Sequence, residues 1–376
     1  MSDLVVVSLE AWDEVWRRNQ HLVDGLLRSD PDLRVLFVEP PVDPLHALSR
    51  RVWPRVGRGL RRAPSGWGYG ERLWLLEPTK WLPRRLDPQS DLRWAGRVAR
   101  AMRRVGMRDA RLWLNDPMGA ALLEVLDAPA LYDVTDDWTA ADRAPAELER
   151  TMRAEELLLD RCREVVVCSP NLARSKGANR PVTLISNGVD LAAYRRDWPR
   201  PAQLPQGPVA LYVGTLHRDR LDVELTVATA QAVSQSGRVV LAGPIALARS
   251  DFDTLASAGV VMLGAQDRGL VPGLLQHADV LLVPHVVTPF TESLDPIKLY
   301  EYAASGRPVI STPVAGFRDD RSGRVTVATG EAFVGAVATA LEAGRAPSVH
   351  RPEDDLADWA SRVAAMAAVL DRLGST

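Results

Sequence analysis

The chain has 376 residues, 46% of them hydrophobic and 25% charged, with a formal net charge of −2. That length suits two domains, the composition suits a well-cored globular chain, and the near-neutral charge argues against general nucleic-acid binding. No apolar run reaches the ~18 residues of a membrane helix. The opening MSDLVVVSLEAWDE has no basic segment before its short apolar stretch, so a secretory signal is not expected. Two cysteines, Cys162 and Cys168, make neither a disulfide framework nor a zinc site, and a reducing cytoplasm is the expected home.

In chain order, short β-branched runs predict buried strands at 4–7, 33–38, 73–76, 111–114, 131–134, 165–168 and 182–185. Helix-period segments fall between them at 14–28, 89–105, 118–126 and 147–162. Continuous apolar strands alternating with helices imply a parallel sheet covered on both faces. The polar, proline-rich stretch NGVDLAAYRRDWPRPAQLPQGP reads as a linker. Beyond it the pattern restarts, with strands at 209–213, 238–242, 259–263, 279–283 and 307–311. Helices are expected near 221–236, 247–256, 269–277, 296–305, 331–343 and 353–372. The expected fold class is α/β, two doubly wound Rossmann-like domains with a ligand cleft at strand carboxyl ends. The expected boundaries are 1–187 and 188–352, with 353–376 returning to the first domain.

Several chemistries lack their motifs. There is no GxxxxGK[ST] loop, no GxGxxG after the first strand of either half, and no GxSxG elbow, which weakens the nucleoside-triphosphatase, dinucleotide-dehydrogenase and α/β-hydrolase readings. The most informative stretch is PHVVTPFTESLDPIKLYEYAASGRPVIST, 284–312. Asp295 followed by Pro296 predicts a helix start with Asp295 as N-cap. That helix N-terminus would lie at a strand's carboxyl end, where backbone N–H groups suit an anion such as pyrophosphate. Lys298 and Glu301 share one face, offering a cation for phosphate and a carboxylate for paired hydroxyls. A capped surface helix with a Lys–Glu pair is the bland alternative.

The same segment resembles the donor-binding helix of retaining GT-B glycosyltransferases of family 4, in particular teichuronic-acid-type and actinobacterial members. WDEVWRRNQHL (12–22), VLFVEPP (35–41), YDVTDDW (132–138), ISNGVD (185–190), LYVGTLHRDRLD (211–222), VVLAGP (239–244) and ADVLLVPH (278–285) resemble other stretches of that family in the same order. The resemblance implies sugar transfer from a nucleoside-diphosphate sugar to an acceptor hydroxyl, with retention, without a metal and with no cofactor. The donor would sit on the C-terminal domain and the acceptor, a small molecule or a lipid-linked one, on the N-terminal domain. A catalytically silent sugar-nucleotide-binding or scaffold protein and a sugar-nucleotide epimerase of the same fold stay open as alternatives.

The resemblance also assigns residues. Glu301 matches the second glutamate of the family's E-x7-E pattern and would accept the donor's ribose hydroxyls. Ser293 stands where the first is expected and Glu292 is one residue off, so either the loop bulges or that contact is lost. Arg218, Arg220 and Lys298 would neutralise the diphosphate, Gly214 would let backbone approach it, and Gly243 and Gln266 would line the base. His217 and His285 flank this site, whereas His21 reads as a packing residue.

In the N-terminal half Asp13, Asp133, Asp136 and Asp137 are the candidate catalytic carboxylates, and nothing in the pattern chooses among them. Carboxylates this close are costly unless solvated or engaged, and an acidic helix N-terminus is the alternative. Residues 50–111 carry seventeen basic against five acidic residues. Six arginines, Arg50, Arg51, Arg55, Arg58, Arg61 and Arg62, precede Trp67, Trp74, Trp81, Arg84 and Arg85. This stretch would either contact an anionic membrane peripherally, close over an acceptor, or form an irregular surface excursion with its arginines in water.

Overall fold

The structure is a computed structural model that describes residues 3–49, 53–82, 84, 86–141, 143–345 and 358–374. Arg50, Arg51, Arg85 and the first residues of the helix expected from 353 lie outside the described residues. The chain divides into two compact units, Met1–Ser186 with Ala360–Thr376, and Asn187–Trp359.

The first unit is built on an eight-stranded sheet: β1 (Asp3–Val7), β2 (Arg34–Val38), β3 (Gly59–Arg62), β4 (Leu73–Glu77), β5 (Arg111–Leu114), β6 (Ala130–Val134), β7 (Glu164–Val167) and β8 (Thr183–Leu184). Their order is β3-β4-β2-β1-β5-β6-β7-β8, and every pairing is parallel except β3 against β4. Helix Trp359–Gly374 belongs to this unit for most of its length and is tied to it by Arg111, which donates to the Leu370 carbonyl, and by Arg372, which pairs with Glu164 at 2.8 Å.

The second unit holds β9 (Val209–Val213), β10 (Arg238–Ala242), β11 (Val261–Gly264), β12 (Val280–Val283), β13 (Val309–Ser311) and β14 (Val325–Val327). They run parallel in the order β11-β10-β9-β12-β13-β14. Alternate residues of β9 serve opposite faces, as a strand's two-residue period dictates. Ala210 and Tyr212 join one buried cluster, Val209 and Leu211 the other. Both faces are therefore covered, which is why the strands read as unbroken apolar runs.

Three expectations change. The stretch predicted as helix 118–126 is a 3-10 turn at Pro117–Leu122, with the Asp116 carboxylate accepting from the Met118 N–H at 2.8 Å. The first helix begins at Arg18, leaving 8–17 as a loop whose Trp12 and Trp16 pack with Trp67. The arginine-rich excursion contains the edge strand β3, and its arginines are not simply in water. Arg61 reaches the fully buried Glu39 at 2.7 Å, Arg55 and Arg58 reach Glu77 at 2.8 and 3.0 Å, and Arg62 reaches Glu71 at 2.6 Å. Glu39 and Glu77 sit at the carboxyl ends of β2 and β4; Glu39, outside 50–111, offsets part of the positive excess, while Glu77 is one of that stretch's own five acidic residues. No helix among the described residues is long and apolar enough to cross a membrane.

Candidate functional site

Each sheet reverses its strand order once, and open α/β sheets receive ligands at such a reversal, beyond the strand carboxyl ends. In the second unit the reversal lies between β9 and β12. β9 leads directly into Gly214, and β10 into Gly243. Both glycines have positive φ, 151° and 146°. A Cβ on Gly243 would fall 2.1 Å from the Gly214 carbonyl oxygen, and one on Gly214 would fall 2.8 Å from Lys298 Nζ and 3.0 Å from the Tyr212 hydroxyl. Only glycine lets these two turns approach each other and the helix above them.

That helix is Ile297–Ser305. Its N-cap is Pro296, with no side-chain cap. The expectation that Asp295 caps it is corrected: its carboxylate instead accepts from the Asn187 backbone N–H and, at 2.7 Å, from the Tyr300 hydroxyl. The first turn thus keeps its N–H groups clear of a competing side chain. Tyr302 fixes the helix to the sheet, its buried hydroxyl accepting from the Val213 N–H at 2.9 Å.

Lys298 projects towards β9. Its ammonium donates to the Tyr212 hydroxyl at 2.8 Å, stands 3.3 Å from His285 Nε2 and lies 4.0 Å from the centre of the Tyr212 ring. The Tyr212 hydroxyl and His285 Nε2 are 3.1 Å apart. Among the described residues Lys298 makes no ion pair. Burial and the nearby Arg220 guanidinium hold its ammonium well below the usual lysine range, against a weaker opposing pull from Glu301. Burial, then Lys298 and Arg220, push the His285 imidazole well down too. A neutral His285 accepts a hydrogen bond from the Tyr212 hydroxyl on Nε2 while the Tyr212 oxygen accepts from Lys298, because an ammonium has no lone pair to offer. The cluster is positive and under-compensated, the condition for receiving an anion.

Glu301, one turn along, accepts from the buried Tyr194 hydroxyl at 2.8 Å. Burial raises its carboxyl pKa, against the lowering effects of Tyr194 and Lys298. Arg220 lies with its guanidinium 5.5 Å from the Phe290 ring centre, and its carbonyl accepts from the Val286 N–H after β12. The structure therefore gathers Gly214, Gly243, Arg220, Lys298, Glu301 and His285 around one reversal. Other candidates are engaged elsewhere. Arg218 points to Glu224 and Asp251 at 2.6 and 3.3 Å on the exposed side, and His217 turns to Asp219 at 2.6 Å. Glu292 meets Arg318 at 2.8 Å. Gln266 donates to the Leu263 carbonyl at 2.9 Å and accepts from Gln203.

In the first unit the reversal lies between β1 and β5. Asp133 is fully buried there, taking both guanidinium contacts of Arg18 at 3.2 Å and the Trp113 indole N–H at 3.1 Å. Asn115 donates to the Asp133 carbonyl and to the Thr135 hydroxyl, while Asn19 donates to Ser8 and Asn115. Asp137 accepts from Thr139 and from Lys176 at 3.1 Å. Although burial pushes its carboxyl up, those partners hold it below the usual value. Asp136 accepts from Thr135 at 3.4 Å. Asp13 is half exposed and accepts from the Val15 N–H. His21 packs edge-on against Trp16. Tyr212 and Tyr194 escaped the reading of the sequence. Tyr212 had a signal, a polar-tipped aromatic at a strand end two residues before Gly214; Tyr194, inside the apparent linker, had none.

Residues 207–343 match the glycosyl transferases group 1 family. That stretch is similar to group 1 glycosyltransferase domains. Over 220 residues the chain is 23% identical to TuaH of Bacillus subtilis (strain 168), named for a glycosyltransferase of teichuronic acid biosynthesis. The alignment covers 54% of this chain and 55% of TuaH, so the chain spans about half the length of that relative. Among solved structures, sucrose-phosphate synthase from Thermosynechococcus elongatus superposes with a TM-score of 0.73 at 16% identity, covering 100% of both chains. Anabaena HepE in complex with UDP-glucose superposes at 0.63 with 15% identity, covering 99% of this chain and 100% of its own. At such identities the likeness speaks for the fold, which is GT-B.

Proposed function

We propose that the protein is a glycosyltransferase that takes a sugar from a nucleoside-diphosphate sugar, held by the second unit, and passes it to a hydroxyl of an acceptor bound by the first. The observation that carries this is the Lys298 cluster at the β9–β12 reversal, an under-compensated cation beside two glycine turns. In this reading Lys298 and Arg220 face the diphosphate and stabilise the charge that grows on it as the glycosidic bond breaks. The unblocked first turn of helix Ile297–Ser305 adds backbone N–H donors. Glu301 accepts from the ribose hydroxyls, with Tyr194 holding its other side. UDP-glucose is the first donor to test, because the similar HepE was solved with it.

The finer features follow the family: retention at the anomeric carbon, and charge neutralisation by side chains. Asp136, in the loop that follows β6, is the first choice for the acceptor hydroxyl. The pairing of Arg55, Arg58, Arg61 and Arg62 with carboxylates favours a soluble acceptor in the cytoplasm over docking on an anionic membrane. Incubation with UDP-glucose and an acceptor panel, read by released UDP and by product stereochemistry, tests the proposal. Tight UDP binding without turnover on any acceptor, or hydrolysis, would favour the second reading, a silent sugar-nucleotide binder. The engagement of Glu292 by Arg318 is what keeps that reading alive.

A further inference from the structure

The loop that follows β6 is held on both sides of Asp136. On one side the Thr135 carbonyl accepts from the Cys168 thiol at 3.2 Å, and the Thr135 hydroxyl accepts from Asn115 at 3.1 Å. The ends of β5 and β7, the two strands beside β6, therefore both grip it. On the other side the Asp137 carboxylate accepts from the Thr139 hydroxyl at 2.5 Å and from Lys176 at 3.1 Å. The Trp138 and Ala140 N–H groups close the turn on the Asp136 and Asp137 carbonyls. Connecting loops are ordinarily the mobile parts of a fold, and this one is tied to three separate elements.

Lys176 makes the tie that reaches furthest. It ends helix Pro170–Lys176, and its ammonium also donates to Glu155 at 2.6 Å, well inside helix Pro145–Arg161. The other Glu155 oxygen accepts from Tyr132 of β6 at 3.4 Å. The side chains of Lys176 and Glu155 are 8% and 7% exposed, that of Asp137 20%. Burial pulls the Lys176 ammonium down, but Glu155 and then Asp137 hold it above the usual lysine range. One cation thus serves two carboxylates, which would repel each other without it. The helix, bonded along its length, resists that push, and the loop yields to it. Loss of Lys176 therefore displaces Asp137 and, with it, the adjoining Asp136.

We propose that Lys176 is a positioning residue for sugar transfer: it clamps the loop after β6 to helix Pro145–Arg161 and so sets the Asp136 carboxylate for the acceptor hydroxyl. This rests on the reading of Asp136 as the acceptor's carboxylate and names the residue that holds it in place. Lys176 acts through the loop and not on substrate. Buried ion pairs are often no more stabilising than apolar side chains of the same volume, so the clamp is kept for where it points the loop.

Lys176→Met alone strands two carboxylates, so the test uses the full chain with Lys176→Met and Glu155→Gln together. That pair of changes removes the cation with the more deeply buried carboxylate and leaves Asp137 its Thr139 contacts. Backbone amides of residues 135–140 should exchange with deuterium about tenfold faster in this variant, while those of helix Pro145–Arg161 exchange as in the parent. With UDP-glucose and an acceptor that the panel has shown active, kcat should fall about 10- to 100-fold, as expected when a contacting group shifts by about 1 Å. UDP affinity should be unchanged, because UDP binds the second unit. A purely structural pair would lower the unfolding midpoint and leave kcat of the folded protein at the parent's value. That result, or unchanged exchange in the loop, overturns the proposal. Asp136→Asn is measured alongside. If it transfers at the parent's rate, the reading of Asp136 fails and the proposal with it; if it is inactive while the double variant transfers as the parent does, the clamp alone fails.

Discussion

The two sheets share a landmark and fill it in opposite ways. At the β1–β5 reversal the polar groups satisfy one another: Arg18 and Trp113 close on Asp133, and Asn19 and Asn115 link Ser8 to Thr135. At the β9–β12 reversal Lys298 meets a hydroxyl and an imidazole but no carboxylate among the described residues. A closed network rigidifies its surroundings and demands nothing further. An under-compensated cation is unfavourable alone and becomes favourable when an anion arrives. Position beside a strand reversal therefore marks where a ligand can sit, and the unbalanced charge tells which of the two places an anion would choose.

The largest expected effect tests the closed network. Asp133→Ala strands the Arg18 guanidinium in the core and should cost about 3–5 kcal/mol of stability, read by urea unfolding. The double change Asp133→Leu with Arg18→Met should recover most of it. A stable, folded Asp133→Ala protein that has lost transfer would move Asp133 from scaffold to chemistry and erase the contrast. Next, Lys298→Met should weaken UDP binding by about 1.5–3 kcal/mol without loss of thermal stability, because it removes a charge that burial penalises. A drop in stability instead would make Lys298 a structural cation.

Glu301→Gln sharpens the second site internally. It should cost about 1–2 kcal/mol of affinity, equally for uridine and for UDP, since the ribose is common to both. A loss confined to UDP would place Glu301 at the phosphates. The smallest effect belongs to Arg218→Ala, whose exposed pairs with Glu224 and Asp251 are screened by solvent. Donor binding should be unchanged within error, and a clear loss would return Arg218 to the diphosphate.

Much of this architecture is legible in the sequence because parallel strands covered on both faces announce themselves as unbroken apolar runs. The strands at 111–114, 209–213 and 238–242 fall where those runs predict them. β3 is not legible: Gly59–Arg62 is a polar antiparallel edge, and its Arg61 pairs with Glu39, a carboxylate that only the folded sheet brings beside it. Glu39 and Asp43, outside 50–111, offset part of that stretch's positive excess. Lys298 and Glu301 are legible from their spacing on one helix face. Tyr212, Tyr194 and the burial of Asp133 are not, because each depends on which strand lies beside which. The Asp295-Pro296 pair was a sound start signal, but Asn187 and Tyr300 draw the Asp295 side chain away from the cap.

The central claim is that Lys298 waits for a diphosphate, and its depressed pKa gives that claim a direct measurement. An anion beside Lys298 raises the ammonium pKa, so binding must take up protons. UDP affinity should therefore fall as pH rises from the lowered value in the free protein towards the ordinary lysine value of 10.5. Calorimetric titration of UDP in buffers of different ionisation heat, across that pH range, reads the uptake. The account predicts net proton uptake with UDP, none with uridine, and none with UDP in Lys298→Met. Equal uptake in the parent and in Lys298→Met, or UDP binding insensitive to pH throughout that range, would contradict it.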